Sequence, residues 1–337
     1  MHQNQLPMSR PAAGARRLPG GALTGVARSH NGELDRILPL IPEFDRVPFG
    51  SGDAAHNEFL DAIVRRANPE QGYSAVPVGV VSKRYCLVPH IEVAQSVRAA
   101  LASAGLHPRE MDAEAFLTVY GARMALFVRL PRKFDFDPGD GHAMALRLLC
   151  LNSVDGSSPL RLLLGWYRFV CANGLAVGTT RSEWRLVHRE GSMCGDVAAL
   201  LGAGIDLAER EKLALAAWTS LAVPLTRFVT FADGELASAW GVRAAARFLH
   251  IATTGFDAEP AYPFEPGPPH AKTMTPTRRV AGSPAQAASA YDACQILAWI
   301  AKDRRDAHER VDRMLEIPEL MQALFAKREG THAVPRA

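Results

Sequence analysis

Three stretches between Leu117 and Val170 alternate apolar and polar positions with a period of two, the spacing of a strand that buries one face. In residues 117–130, Ala122, Met124, Leu126, Val128 and Leu130 share one side, and Arg123, Ala125, Phe127 and Arg129 share the other. In residues 144–151, Met144, Leu146, Leu148 and Cys150 oppose Arg147. In residues 160–170, Leu160, Leu162, Leu164 and Trp166 oppose Arg161 and Tyr167. The polar stretches between them, FDFDPGDGH at 134–142 and LNSVDGSSP at 151–159, are turns too short for a crossover helix, so the strands are expected to be antiparallel neighbours. Upstream, residues 75–88 read as a short strand pair around Ser82-Lys83.

A helical period takes over elsewhere. Val93, Val97, Ala100, Leu101 and Ala104 fall on one face of a helix over 91–104, with Gly105 where a C-terminal cap belongs. Helices follow at 207–221, stopped near Pro224, and at 235–251. Ser283-Pro284-Ala285-Gln286 offers an N-cap serine, a proline at the first helical position and a capping-box glutamine, and predicts a helix running to about Lys302. Arg304 and Arg305 would sit at its negative end. A last helix is expected over 318–328.

The fold class that follows is α+β, a central antiparallel sheet with helices packed on one face and a helical C-terminal portion. The expected divisions are a disordered basic arm at 1–45, an α+β core at 46–195, a helical extension at 196–252, a Pro-rich linker at 253–283, and C-terminal helices at 284–330. The arm carries Arg10, Arg16, Arg17 and Arg28 before its first acid, and a flexible basic segment can reach phosphates.

Composition then narrows the chemistry. The apolar share, 48%, is enough for a sizeable core, and the formal net charge of +3 leaves any nucleic-acid reading to local patterning. Cys86, Cys150, Cys171, Cys194 and Cys294 are odd in number and far apart, so they read as reduced core thiols. The longest apolar run, residues 213–225, is interrupted and too short for a bilayer, and Arg16-Arg17 is followed by LPGGALTG rather than an export signal's apolar stretch; the cytoplasm is the expected location. There is no phosphate-binding GxxxxGK[ST] loop, dinucleotide GxGxxG turn, HExxH or GxSxG elbow, and the histidines are scattered, so neither cofactor nor metal is expected. Asp135 to Gly141 superficially suggests a calcium loop, but Leu146 stands where the bidentate glutamate belongs, and an acidic solvated hairpin is the reading.

The stretch with the densest chemistry is LNSVDGSSPLRLLLGWYRFVCANGL, residues 151–175. Asn152, Ser153, Asp155, Gly156, Ser157 and Ser158 suit a turn that bonds its own backbone, and Asn173-Gly174 suits a second. Arg168 lies among apolar neighbours and needs a partner such as Asp155. Asn152, Asp155 and Arg168 are either a polar site for a phosphate or base, or a structural turn with a satisfied buried arginine. Cys171 with His188 could form a thiol–imidazole pair, or Cys171 could be an inert cysteine.

The same stretch resembles the phage and plasmid family known as domain of unknown function 932. The matching residues are Leu151-Asn152-Ser153, Asp155-Gly156-Ser157-Ser158 and Arg168 to Leu175, including Cys171 and Asn173. Val80 to Tyr85 and the helix containing YDACQILAWIA match more weakly, and the resemblance spans roughly residues 75–305. It implies residence on mobile elements and no assigned reaction. The family often carries a histidine where this chain has Val154, so any role for that histidine is missing here.

If the three runs pair in one sheet, the side opposite the helices presents Arg123, Arg129, Arg147 and Arg161 with Phe127 and Tyr167. Arginines and rings on a sheet suit single-stranded DNA or RNA, with guanidinium groups on phosphates and rings against bases. The alternative is an ordinary polar sheet face, or one covered by a second layer, since apolar residues share it. Two other functions stay open: a host-directed protein-interaction (anti-defence) factor, and an enzyme with a site around Asn152, Asp155 and Arg168.

Overall fold

A computed structural model describes residues 26–50, 56–168, 183–186, 193–261, 266–303 and 307–326. In chain order its elements are β1 (Val26–Glu33), α1 (Leu34–Ile37), β2 (Phe44–Gly50), β3 (His56–Arg65), β4 (Val76–Ser82), α2 (His90–Ser103), β5 (Asp112–Thr118), β6 (Arg123–Arg129), β7 (Met144–Ser153), β8 (Leu160–Arg168), β9 (Glu183–Leu186), α3 (Met193–Ser220), α4 (Leu225–Phe231), α5 (Ala237–Trp240), α6 (Val242–Thr254), β10 (Phe256–Pro260), β11 (Met274–Arg279), α7 (Ala290–Ala301) and α8 (Ala307–Phe325).

The central sheet has six antiparallel strands in the order β1-β5-β6-β7-β8-β9. The period-two alternation is realised in it. Met124, Leu126 and Val128 of β6, Leu146, Leu148 and Cys150 of β7, and Leu162, Leu164 and Trp166 of β8 are buried in one cluster. They meet Val93, Val97 and Leu101 of α2 and Leu200 and Leu201 of α3. Each such side chain, fully buried, contributes about 1.5–3 kcal/mol, so this face fixes the register of the sheet. The chain is α+β, with helices on this face and a helical C-terminal portion.

Several boundaries differ from the sequence expectation. Residues 26–45 are not an arm. Leu34, Ile37 and Ile41 enter the core and Phe44 a smaller cluster, while β1 pairs along β5. The single run expected at 117–130 is two strands, because Gly121 takes φ +75° and its amide bonds Thr118, closing a turn before β6. Residues 75–88 hold one strand, β4, whose partner is β3. The Pro-rich segment contains the β10–β11 hairpin, which tolerates Pro276 because that residue sits beside a bulge and β11 is exposed. The helix expected from Ser283 begins at Ala290, capped by Ser289 with Asp292. Backbone bonds from Ala287 to Ala252 and from Ala290 to Leu221 hold the preceding chain extended. Pro318 lies inside α8 instead of at its start.

Two further layers complete the molecule. A three-stranded sheet, β2-β3-β4, packs Phe44, Ile63 and Val81 around Val154 of the β7–β8 turn. The C-terminal helices α4, α6, α7 and α8 build their own cluster around Phe228, Phe231, Phe248 and Trp299. The far side of α8 places Val311 and Leu315 against Ala125, Phe127, Leu149, Leu151 and Leu163, so the second face of the central sheet is also covered.

Candidate functional site

The β7–β8 turn is built as its residue types require. Ser153 Oγ donates to the Ser158 carbonyl (2.8 Å) and accepts from its amide (3.0 Å), while Asp155 Oδ1 accepts from the amide (3.0 Å) and hydroxyl (2.5 Å) of Ser157. Gly156 takes φ +76°, open to glycine at little cost. Asn152 is fully buried, and its amide nitrogen donates to the Val88 carbonyl and to Nδ1 of His90, each at 2.9 Å. An amide nitrogen only donates, so Nδ1 is the acceptor and Nε2 carries the ring proton to the Gly121 carbonyl at 2.8 Å.

This constellation ties four parts of the chain together. Gly79 of β4 lies so close to the turn that a Cβ there would stand 2.7 Å from Asp155 Cβ, and the Tyr85 hydroxyl donates to the Ser153 carbonyl at 3.2 Å. Burial, with Asp155 nearby, pushes the Tyr85 phenol up to about 12, so it stays a donor at neutral pH. The Asn152 amide nitrogen, the Ser153 hydroxyl and Asp155 Oδ1 are thus engaged inside the fold, which favours the structural-turn reading. Only the backbone of Arg168 is described, opposite Met144; Cys171, Asn173 and His188 lie outside the described residues. Cys150 is buried, and burial pushes its thiol well above the usual range, as expected of a core cysteine.

The arginines of the central sheet share the second face, as their spacing required, but the face expected to stand open is covered by α8. Arg161 is 3% exposed, with Nη1 2.8 Å from Asp312 of α8. Arg129 pairs with Asp135, Arg147 stands 3.9 Å from Glu114, and Arg123 Nε donates to Ser157 Oγ at 2.9 Å. Phe127 packs edge-on against Phe116 within the apolar layer under α8. Tyr167 sits opposite Ala145, with only its backbone described. The apolar residues interleaved with these arginines demanded a cover, and an acidic residue of that cover meets the most buried guanidinium.

Exposed rings and cations occur together on the small sheet instead. Phe59 is 75% exposed and Phe49 41%. The Lys83 amide donates to the Phe59 carbonyl at 2.9 Å, so the backbone of Lys83, just past β4, runs beside that of Phe59, and Arg84 comes next in the chain. Both cations are solvent-exposed. Val47, Ala62 and Val80 form a cross-strand row on the side of this sheet away from Val154, and Val47 and Val80 are exposed. Sequence reasoning saw Ser82-Lys83 only as a turn and did not find β2 or β3. The signal available was an aromatic in a polar stretch, HNEFL, with nothing apolar to pair with.

Asp137 accepts from the amides of Gly139, Asp140 and Gly141 within the acidic hairpin, and these bonds hold its carboxyl below the usual range. Among the described residues no group of histidine, cysteine and acidic side chains could hold a metal ion, and no helix is long and apolar enough to cross a membrane. The family described as "Domain of unknown function (DUF932)" matches this chain over residues 77–257, from β4 through the start of β10. No solved structure matches the chain.

Proposed function

The chain belongs to the domain of unknown function 932 family, and from that premise we propose that it is an accessory protein of plasmid or phage elements that binds single-stranded nucleic acid through the exposed rings and cations of its small sheet. The observation that carries this reading is Phe59, 75% exposed, with its carbonyl bonded to the amide of Lys83, which is followed by Arg84. A ring of β3 left in water has a flat face for a base, worth about 1–3 kcal/mol per stacked base, and cations on the same sheet meet phosphates. The large sheet is then scaffold. Its arginines hold α8 and the β7–β8 turn, which seats the small sheet.

Fluorescence anisotropy of a labelled single-stranded oligonucleotide tests the reading at about 50 and 200 mM salt, where phosphate contacts weaken steeply. The expected result is salt-sensitive binding that falls at least tenfold in the Phe59→Ala/Lys83→Ala/Arg84→Ala protein, about the loss of one stacked base. No binding at the lower salt, or equal binding by that variant, defeats it. If the Arg123→Ala/Arg129→Ala/Arg147→Ala protein, still folded, is the one that fails to bind, the interface is the large sheet after all.

A second reading rests on the exposed apolar row of Val47 and Val80 beside Phe49, the kind of patch that marks a protein contact. It makes the chain a host-directed interaction factor. It predicts a complex with a host protein that survives both nuclease treatment and 200 mM salt and is lost in Val47→Asp/Val80→Asp.

A further inference from the structure

A pocket of about 330 Å³ opens between α6, the β10–β11 hairpin and the end of α7, away from both surfaces above. That size lies at the lower end of small-molecule sites. Two of its arginines, Arg243 and Arg247, stand one turn apart on α6, and a third, Arg278, comes from β11.

Asp257 in its lining is 2% exposed and fully bonded. Arg247 grips it with a two-pronged bond (2.5 and 2.7 Å), Trp299 Nε1 donates at 2.9 Å, and the Ala258 amide donates at 2.9 Å. Burial opposes its ionisation, but Arg247 outweighs burial and holds the carboxyl below its ordinary value. Asp257 and Arg247 are therefore a fixed pair.

Asp303 is placed differently. Its carboxylate bridges Arg247 and, at 3.3 Å, Arg278, yet it hangs just past the C-terminal end of α7, where the helix dipole disfavours negative charge. Arg278 lies over the Trp299 ring and is 43% exposed in its side chain. Arg243 is exposed and has no carboxylate partner among the described residues, and Glu259, also in the lining, is exposed. Arg278 also reaches Asp257 at 3.4 Å, so a ligand that displaced Asp303 would meet three guanidiniums with Asp257 and Glu259 as the remaining carboxylates of the lining.

We propose that this pocket binds a small phosphomonoester, whose dianionic phosphate replaces the Asp303 carboxylate between Arg247 and Arg278 and is met by Arg243 as the third arm. The guanidinium fork suits phosphate oxygens as well as carboxylate oxygens, and a dianion gains more from three such groups than a single carboxylate does. The volume beyond the phosphate is left for the rest of the molecule.

Isothermal titration calorimetry of the full chain with adenosine 5′-monophosphate, inorganic phosphate and adenosine tests this. Saturable binding of the monophosphate is expected, and none of adenosine. Arg243→Ala and Arg278→Ala, both at exposed positions, should each weaken it about tenfold, the scale of one charge-assisted hydrogen bond. Asp303→Asn should tighten it several-fold, because the competing charge is gone. Phosphate binding equal to that of the monophosphate assigns the site to the free ion; tighter monophosphate binding shows that the pocket reads the remainder. No saturable heat with wild type or Asp303→Asn overturns the proposal. So does binding that both arginine variants, with unchanged melting temperature, leave intact.

Discussion

Asn152 and Gly79, both within the family match, are held by contacts inside the fold. The Asn152 amide serves two buried acceptors, the Val88 carbonyl and His90 Nδ1. Replacing it with alanine leaves both without that donor, and a buried group left unsatisfied costs about 1–3 kcal/mol. Urea unfolding of Asn152→Ala should therefore show a clear fall in midpoint at unchanged slope. Asp155→Asn keeps the oxygen that the Ser157 amide and hydroxyl use, and should unfold close to wild type. Equal stability of Asn152→Ala and wild type would mean that the amide is held for some other purpose. Gly79→Ala tests the contact from the other side. Its Cβ would stand 2.7 Å from Asp155 Cβ and 2.9 Å from the Asp155 backbone, which cannot yield as a flexible side-chain tip would, so a loss of about 1–3 kcal/mol is expected.

At the scale of elements, α8 is the piece whose placement decides what the large sheet can do. It buries Met314, Ile317, Leu320, Met321 and Leu324 in the C-terminal cluster while Val311 and Leu315 meet the sheet. Val311→Asp would put a carboxylate into the apolar layer of Ala125, Leu149 and Leu163, where burying a charge is costly. Limited proteolysis should then cut within or before α8, which in wild type stays protected; an unchanged cleavage pattern would show that the helix is held by the C-terminal cluster alone. Three of the six central strands, β6, β7 and β8, were legible in the sequence, since each carries an unbroken apolar face; β1, β5 and β9 were not. The strands β2 and β3 were not, because a small sheet with one exposed side leaves short, mixed patterns. The β10–β11 hairpin was hidden by prolines that its exposed edge and bulge tolerate. The arginine positions were correctly placed on one face, but their consequence was not readable. It depends on Asp312, which only the folded chain brings to Arg161.

Across the whole molecule, the C-terminal body holds two titrating groups with opposite histories. His250 is pushed by burial below its ordinary value of 6.5, against an opposing pull from Asp257, and its Nε2 finds no hydrogen-bond partner among the described residues. The folded state thus resists a proton that the unfolded chain accepts, and stability should fall as pH drops below about 6.5, levelling once the folded histidine protonates as well. Asp257 is held below 3.8 by Arg247, so its contribution is present above that value and is lost as pH falls through its folded value. Asp35 beside Arg98 and Asp45 beside Arg66 are lowered too, but these pairs lie near the surface, where solvent screens them, and add little to the same acid window. Urea midpoints measured from pH 8 to pH 3 should show two descents. His250→Gln should flatten the first and leave the second, and Asp257→Asn should lower the whole curve while shrinking the second. Tyr291 of α7 reaches the large-sheet core at Met144, and α8 spans both bodies, so tryptophan fluorescence and far-ultraviolet circular dichroism should report the same midpoint at each pH. Separate midpoints appearing only in the lower window would show that the Asp257 network stabilises the C-terminal body by itself, and that α7 and α8 do not couple it to the sheet.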